Sequence, residues 1–182
     1  HRWREGRRIL ADPASPAVRR TSPRIRSHLP LIGWREWLAL PGLGIPKVKA
    51  KVDTGARSSA IHAFGIERRR AEGRDRVAFF THPRQRGDGP GLSCSAELLD
   101  VRTVRSSNGA IEERYFIRTI ARLHGIEWPI ELTLTERNDM SFRMLLGREA
   151  IRGRFLVDSG RSFLDQTLVT KKKKKAPRRS RP

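Results

Sequence analysis

Lys47-Val48-Lys49-Ala50-Lys51-Val52-Asp53-Thr54-Gly55-Ala56 reads as a strand running into a tight turn. Val48, Ala50 and Val52 alternate with three lysines, the period-two pattern of a strand with one buried face. Asp53 ends that strand, and Gly55 lets backbone approach backbone just beyond it. A carboxylate placed in this way can be held rigidly beside a second one. Two such groups cannot both ionise at close range, so they share a proton. One then acts as general base towards a water while the other polarises a carbonyl. Thr54 offers a hydroxyl that can bond across the pair. Taken alone, Asp53-Thr54-Gly55 fits an ordinary turn after a strand equally well.

Outward from this stretch the chain reads as mostly strand. Apolar periodicity starts near Leu31-Ile32-Gly33-Trp34. Arg76 to Phe80 is a short β-type run, and Asn108-Gly109 between Leu98–Val104 and Ile111–Ile120 is a hairpin signal. Ile130, Leu132 and Leu134 alternate with Glu131, Thr133 and Thr135, which predicts a strand with one wet face. One short helix is expected, from Arg148 to Arg152. No internal repeat is evident in the sequence. Many short strands with turns between them predict a mainly β, closed or nearly closed barrel.

About 90 residues after Asp53, Met144-Leu145-Leu146-Gly147-Arg148 ends a second apolar strand. With Asp53-Thr54-Gly55-Ala56 this resembles the retropepsin-like aspartic proteases, over roughly residues 45–165. Their hydrophobic-hydrophobic-Gly-Arg strand crosses beneath the Asp-Thr-Gly loop and a short helix follows. Lys51 to Ala60, Ser106-Ser107-Asn108-Gly109 and Leu132 to Arg137 narrow the resemblance to the RimB-like branch, commonly labelled ATP-dependent zinc protease. Members of that branch are associated with ATP-grasp ligases that add glutamates to a ribosomal protein. The resemblance implies an aspartic peptidase with Asp53, Thr54 and Gly55 as catalytic residues. It also implies a poly-glutamate or glutamylated tail as substrate, with Leu145, Leu146, Gly147 and Arg148 supporting the site. The label itself finds no match. There is no H-E-x-x-H, Cys94 has no partner cysteine, and His62, His82 and His124 are scattered. No G-x-x-x-x-G-K-[ST] loop is present for ATP. No metal and no cofactor are expected.

A second Asp-Ser-Gly, Asp158-Ser159-Gly160, is read as a turn joining two C-terminal strands, because only about ten residues separate it from Lys171. The second carboxylate is therefore expected from another copy of the chain, in a two-fold homodimer. Arg57 stands where retroviral members carry an acid. Arg148 is thus expected to pair with Glu149 or Glu136, and Arg57, beside Ala56, to face the cleft and grip a substrate glutamate. Ser58 and Ser59 read as turn or strand hydroxyls. Gly87, Gly89 and Gly91 mark one candidate flap, and the Asn108-Gly109 hairpin is its rival. Trp34, Trp37 and Trp128 are expected in the core or a dimer interface.

The chain has 182 residues, with 39 Lys and Arg against 19 Asp and Glu, a formal net charge of +20. Residues 1–28 carry +6 and residues 171–182 carry +8, leaving +6 for 29–170. That divides the chain into a basic, disordered extension (1–28), a folded domain (29–170) and a disordered Lys/Arg tail (171–182). The tails could meet RNA or the ribosome, and the same charge would attract an acidic peptide. A basic binding module, or an endopeptidase with another substrate, are the competing functions. A single cysteine suits a reducing compartment, no apolar run reaches membrane length, and the cytoplasm is expected. Starting at His1 without Met, the chain reads as a fragment or a processed product.

Overall fold

A computed structural model of the chain describes residues 29–71, 73–84, 91–105, 109, 111–136 and 142–168. The basic extension and the Lys/Arg tail lie outside the described residues, as do Gly87 and Gly89 of one expected flap and Ser106 to Asn108 of the other. The strands are β1 (Leu31–Gly33), β2 (Arg35–Leu40), β3 (Ile45–Asp53), β4 (Ser59–His62), β5 (Phe64–Ala71) and β6 (Arg74–Thr81). They continue as β7 (Leu92–Arg105), β8 (Ile111–Leu123), β9 (Ile126–Thr135), β10 (Met144–Gly147) and β11 (Leu156–Asp158). A 3-10 turn covers Pro41–Leu43, and the helix α1 spans Arg148–Ile151 with Arg152 as its cap. The expected mainly β architecture with one short helix is what the chain forms.

Nine strands pair in the order β2-β3-β10-β4-β9-β8-β7-β6-β5. β2 also meets β8 at Ala39 and Arg122, so the succession from β2 to β8 returns on itself. Burial follows the alternation in β3, where Val48, Ala50 and Val52 are buried and the lysines between them are not. β10 lies between β3, to which it is parallel, and β4, to which it is antiparallel. A strand with neighbours on both edges can carry a continuous apolar run, and Met144 and Leu146 are fully buried. In β9 the expected wet face is confined to the first half, because Thr133 and Thr135 are buried with the leucines beside them. There alternation no longer separates a wet face from a dry one.

One two-residue hairpin is not advertised by its residue types. β8 and β9 pair down to Leu123 and Ile126, leaving only His124 and Gly125 as the turn. Both have positive φ, 51° and 72°, the conformation of a type I′ turn. Asp165 holds the histidine in that left-handed conformation, its Oδ2 accepting the His124 N–H at 2.7 Å. Asp165 Oδ1 accepts the Thr167 N–H at 2.8 Å. Burial pushes the Asp165 carboxyl up, but the hydrogen bonds from Thr167 and His124, with the His124 charge, bring it below the ordinary carboxylate value.

A second buried acid, Glu36, ties the chain ends together. Its Oε1 accepts the N–H of Gly33 at 2.7 Å and of Leu164 at 2.8 Å, and its Oε2 accepts that of Asp165 at 3.4 Å. A buried backbone N–H left without a partner costs roughly 1–3 kcal/mol. Glu36→Ala is therefore expected to lower the unfolding free energy by about 2–4 kcal/mol in a denaturant titration, since more than one donor is orphaned. Asp165 gives a pH signature. Its folded value is depressed, so it stabilises the fold above its unfolded value and loses that contribution as pH falls through the folded one. Asp165→Asn should flatten the acid limb of the stability–pH curve, and an unchanged limb would refute the assignment.

Candidate functional site

The parallel pairing of β3 with β10 puts Asp53 opposite Gly147. Asp53 is half-buried, and its Oδ1 accepts the N–H groups of Gly55 at 3.1 Å and Ala56 at 3.0 Å, closing the turn on itself. Gly147 has ordinary extended dihedrals, so it is required by space rather than by conformation. A Cβ there would lie 2.4 Å from the carbonyl carbon and oxygen of Ser58. Its N–H donates to the buried Ser59 Oγ at 3.0 Å. The next two N–H groups, of Arg148 and Glu149, donate to the carbonyls of Ala56 at 2.8 Å and Arg57 at 3.1 Å. The first turn of α1 thus holds the Asp53 loop from below.

Arg148 does not take a carboxylate, as expected of it. Its Nη1 donates to the carbonyls of Thr54 at 3.1 Å and Gly55 at 3.3 Å, which cross-braces the loop. Glu149 pairs instead with Arg57, Nε to Oε1 at 2.8 Å. The Arg57 hydrogen bond and charge hold the Glu149 carboxyl below its ordinary value. Both partners are exposed, with 80% of the Arg57 side chain accessible. Thr54 and Gly55 are also exposed, so the loop presents its crest to solvent.

Asp158 is not a turn between two C-terminal strands. β11 pairs in parallel with β1, placing Asp158 opposite Gly33 and Val157 opposite Ile32. Asp158 Oδ1 accepts the Gly160 N–H at 2.8 Å, as Asp53 does with Gly55. Trp34 N–H, one residue after Gly33, donates to Arg161 O at 2.9 Å. That is the bond Arg148 makes to Ala56, three residues after its own aspartate. A Cβ on Gly33 would lie 2.3 Å from Arg161 O. The chain therefore builds the Asp-x-Gly loop over an apolar-apolar-Gly strand twice. The second supporting strand, Leu31-Ile32-Gly33, comes from far upstream, so a search after Gly160 misses it. The signal was present in the sequence as an apolar pair before a glycine.

His62 and His82 converge, with ring centroids 6.4 Å apart, while His124 sits at the β8–β9 turn against Phe155. Among the described residues no three His, Cys, Asp or Glu side chains gather closely enough to hold a metal ion. Cys94 is buried and its thiol is pushed up to about 11 by that burial. Trp128 is a core residue beside Phe155, as expected. Trp34 and Trp37 are half-buried instead, Trp34 edge-on to Phe142 and Trp37 stacked on Phe163 under the Lys47 ammonium.

Gly147→Ala should destabilise the fold by about 1–3 kcal/mol, because backbone rather than a flexible side chain must yield. An unfolding midpoint equal to wild type would show that the loop does not depend on this contact.

A sequence model described as retropepsin-like aspartic endopeptidase RimB matches residues 31–167. Curated relatives include a Shewanella halifaxensis protein, 48% identical over 133 residues that make up 73% of this chain and 29% of the relative. One from Desulfotalea psychrophila is 43% identical over 128 residues, 70% of this chain and 28% of the relative. Both are named probable alpha-L-glutamate ligase, and this chain spans under a third of their length. A crystal structure of a Legionella pneumophila protein of unknown function has a likeness in fold, with a TM-score of 0.63 at 24% identity, covering 74% of this chain and 97% of that one. The peptidase expected from Asp53-Thr54-Gly55 is corrected by the relatives, whose name is that of a ligase and not of a hydrolase. The physical reason is that the two motifs specify how a loop rests on a strand, which is a statement about fold and leaves the reaction open. By its sequence over residues 31–167, the chain belongs to the RimB-like family.

Proposed function

We propose that residues 29–170 form a module of an α-L-glutamate-ligating system, and that the Asp53–Arg57 loop with Arg148 holds an acidic glutamyl chain there. The name shared by relatives 43–48% identical to this chain supports the setting. The Arg57–Glu149 pair carries the reading of the site. Arg57 already grips a glutamate carboxylate at the exposed crest of the loop, and a glutamyl substrate presents the same group. An exposed ion pair is held only weakly against water, so exchange of one carboxylate for the other is easy. Asp53 shapes the loop through its bonds to Gly55 and Ala56, and Leu145, Leu146 and Gly147 support it from beneath.

Three further parts of the reading rest on physical argument. The return of β2 onto β8 supports a closed barrel. A two-fold homodimer would set two Arg57 and two Arg148 side chains along one acidic chain. The excess of 39 basic over 19 acidic residues would draw that chain in, and a lone buried thiol supports a reducing, cytoplasmic setting.

Calorimetric titration of the full chain with hexaglutamate tests the site. Arg57→Ala should weaken binding about threefold, and Glu149→Gln should strengthen it about twofold by removing the internal competitor. Attraction by the tails alone would leave both variants equal to wild type, which would overturn the reading. Sedimentation of the same samples should report two chains per particle, and a single-chain mass would remove the dimer.

A further inference from the structure

At the far end of β10 from Asp53, the ends of β4 and β9 and the residue before β10 carry a row of polar side chains that the Asp53 loop does not use. His62 ends β4 and is in register with Thr135 at the end of β9. Its N–H donates to the Arg143 carbonyl at 2.8 Å, extending the antiparallel register that joins Met144 to Ile61. Directly paired residues share a face of the sheet, so Thr135, His62 and Arg143 stand side by side on one face. Each has a buried polar atom without a hydrogen-bond partner: Thr135 Oγ1, His62 Nδ1 and Arg143 Nε. His62 is 2% exposed and Thr135 is 4% exposed. Buried polar atoms are almost always satisfied, and an orphan costs roughly 1–3 kcal/mol. Three of the five such atoms among the described residues fall in this row.

We propose that the row Thr135–His62–Arg143 is a second binding site that takes a carboxylate. Arg143 Nε and Thr135 Oγ1 can each donate a hydrogen bond, and His62 Nδ1 donates in the matching tautomer. A carboxylate accepts through two oxygens with several lone pairs, so one such group can satisfy all three donors. A cation would meet the Arg143 charge instead. The apolar wall is built by Phe64, which stacks on His82 at 4.8 Å and on Phe80 at 5.8 Å, and it strengthens a charge-assisted bond by excluding water. Burial first, then the charges of Arg143 and His82, hold the His62 imidazole below its ordinary value, while Glu136 acts in the opposite direction. Burial and the Arg143 and His82 charges thus favour a neutral histidine donor, with Glu136 as the opposing charge. Along β10 it lies about 13 Å from the Asp53 loop, a span of about four extended residues that two carboxylates of one glutamyl chain can bridge. The identification of the ligand as glutamyl rests on the function proposed above, whereas the carboxylate site itself does not.

The test uses the full chain and follows the His62 ring nitrogens by NMR during separate titrations with acetate and with hexaglutamate. Acetate should move the His62 signals saturably, and Arg143→Met and Thr135→Val should each weaken that response about tenfold. Glu136→Gln should strengthen it. If His62 does not respond to saturating acetate, or responds equally in both weakened variants, the site is overturned. Should either variant fail to fold, the wild-type response together with Glu136→Gln decides the matter. A His62 response to acetate but not to hexaglutamate would keep the site and remove the glutamyl ligand. Hexaglutamate binding that depends on Arg57 while His62 stays silent would do the reverse.

Discussion

The structure depends on the closeness with which β10 passes under the loop after Asp53. Gly147 sits where a single added carbon would be 2.4 Å from the Ser58 carbonyl. That approach lets three successive N–H groups, from Gly147 to Glu149, reach Ser59 Oγ and the carbonyls of Ala56 and Arg57. It also delivers the Arg148 guanidinium to Thr54 and Gly55. Loop, strand and helix start are therefore one hydrogen-bonded unit. A loop held at this many points presents Arg57 and Glu149 from a rigid base, which is what a binding crest needs.

The same device recurs where β1 passes under the Asp158 loop, with two of the same bonds. Gly33 approaches Arg161, Trp34 donates to Arg161, and Asp158 accepts from Gly160. The two units are joined, since Val52 N–H donates to the Trp34 carbonyl at 2.9 Å. Glu36 then binds Gly33 on one side and Leu164 and Asp165 on the other. Two buried acids, Glu36 and Asp165, accept hydrogen bonds from backbone N–H groups, and Glu36 holds Leu164 and Asp165 against Gly33 of the first strand.

Function is constrained less tightly than fold. The Asp-Thr-Gly loop and its supporting strand accompany a family likeness, and the names of the matching sequence model and of the curated relatives differ between an endopeptidase and a ligase. A backbone arrangement is compatible with several chemistries, because the reaction is set by which groups face the substrate. In the function proposed above, those groups are the arginines at the loop crest and, at the opposite end of β10, a row of donors.

From the sequence alone one could read the β3 alternation, the Asp53 turn, the β10 run and the helix after it, because each is a local pattern with a known period or turn chemistry. Three things were decided only by tertiary structure. The partner of the Asp158 loop lies at Leu31–Gly33, more than a hundred residues upstream, and strand pairing at that separation leaves no local trace. Arg148, expected to pair with Glu149 or Glu136, donates instead to the carbonyls of Thr54 and Gly55, and Glu149 pairs with Arg57. Thr135 and His62 end two strands, Arg143 precedes a third, and the three become neighbours only through strand pairing. Periodicity is written along the chain, whereas register and packing are set by which strands meet.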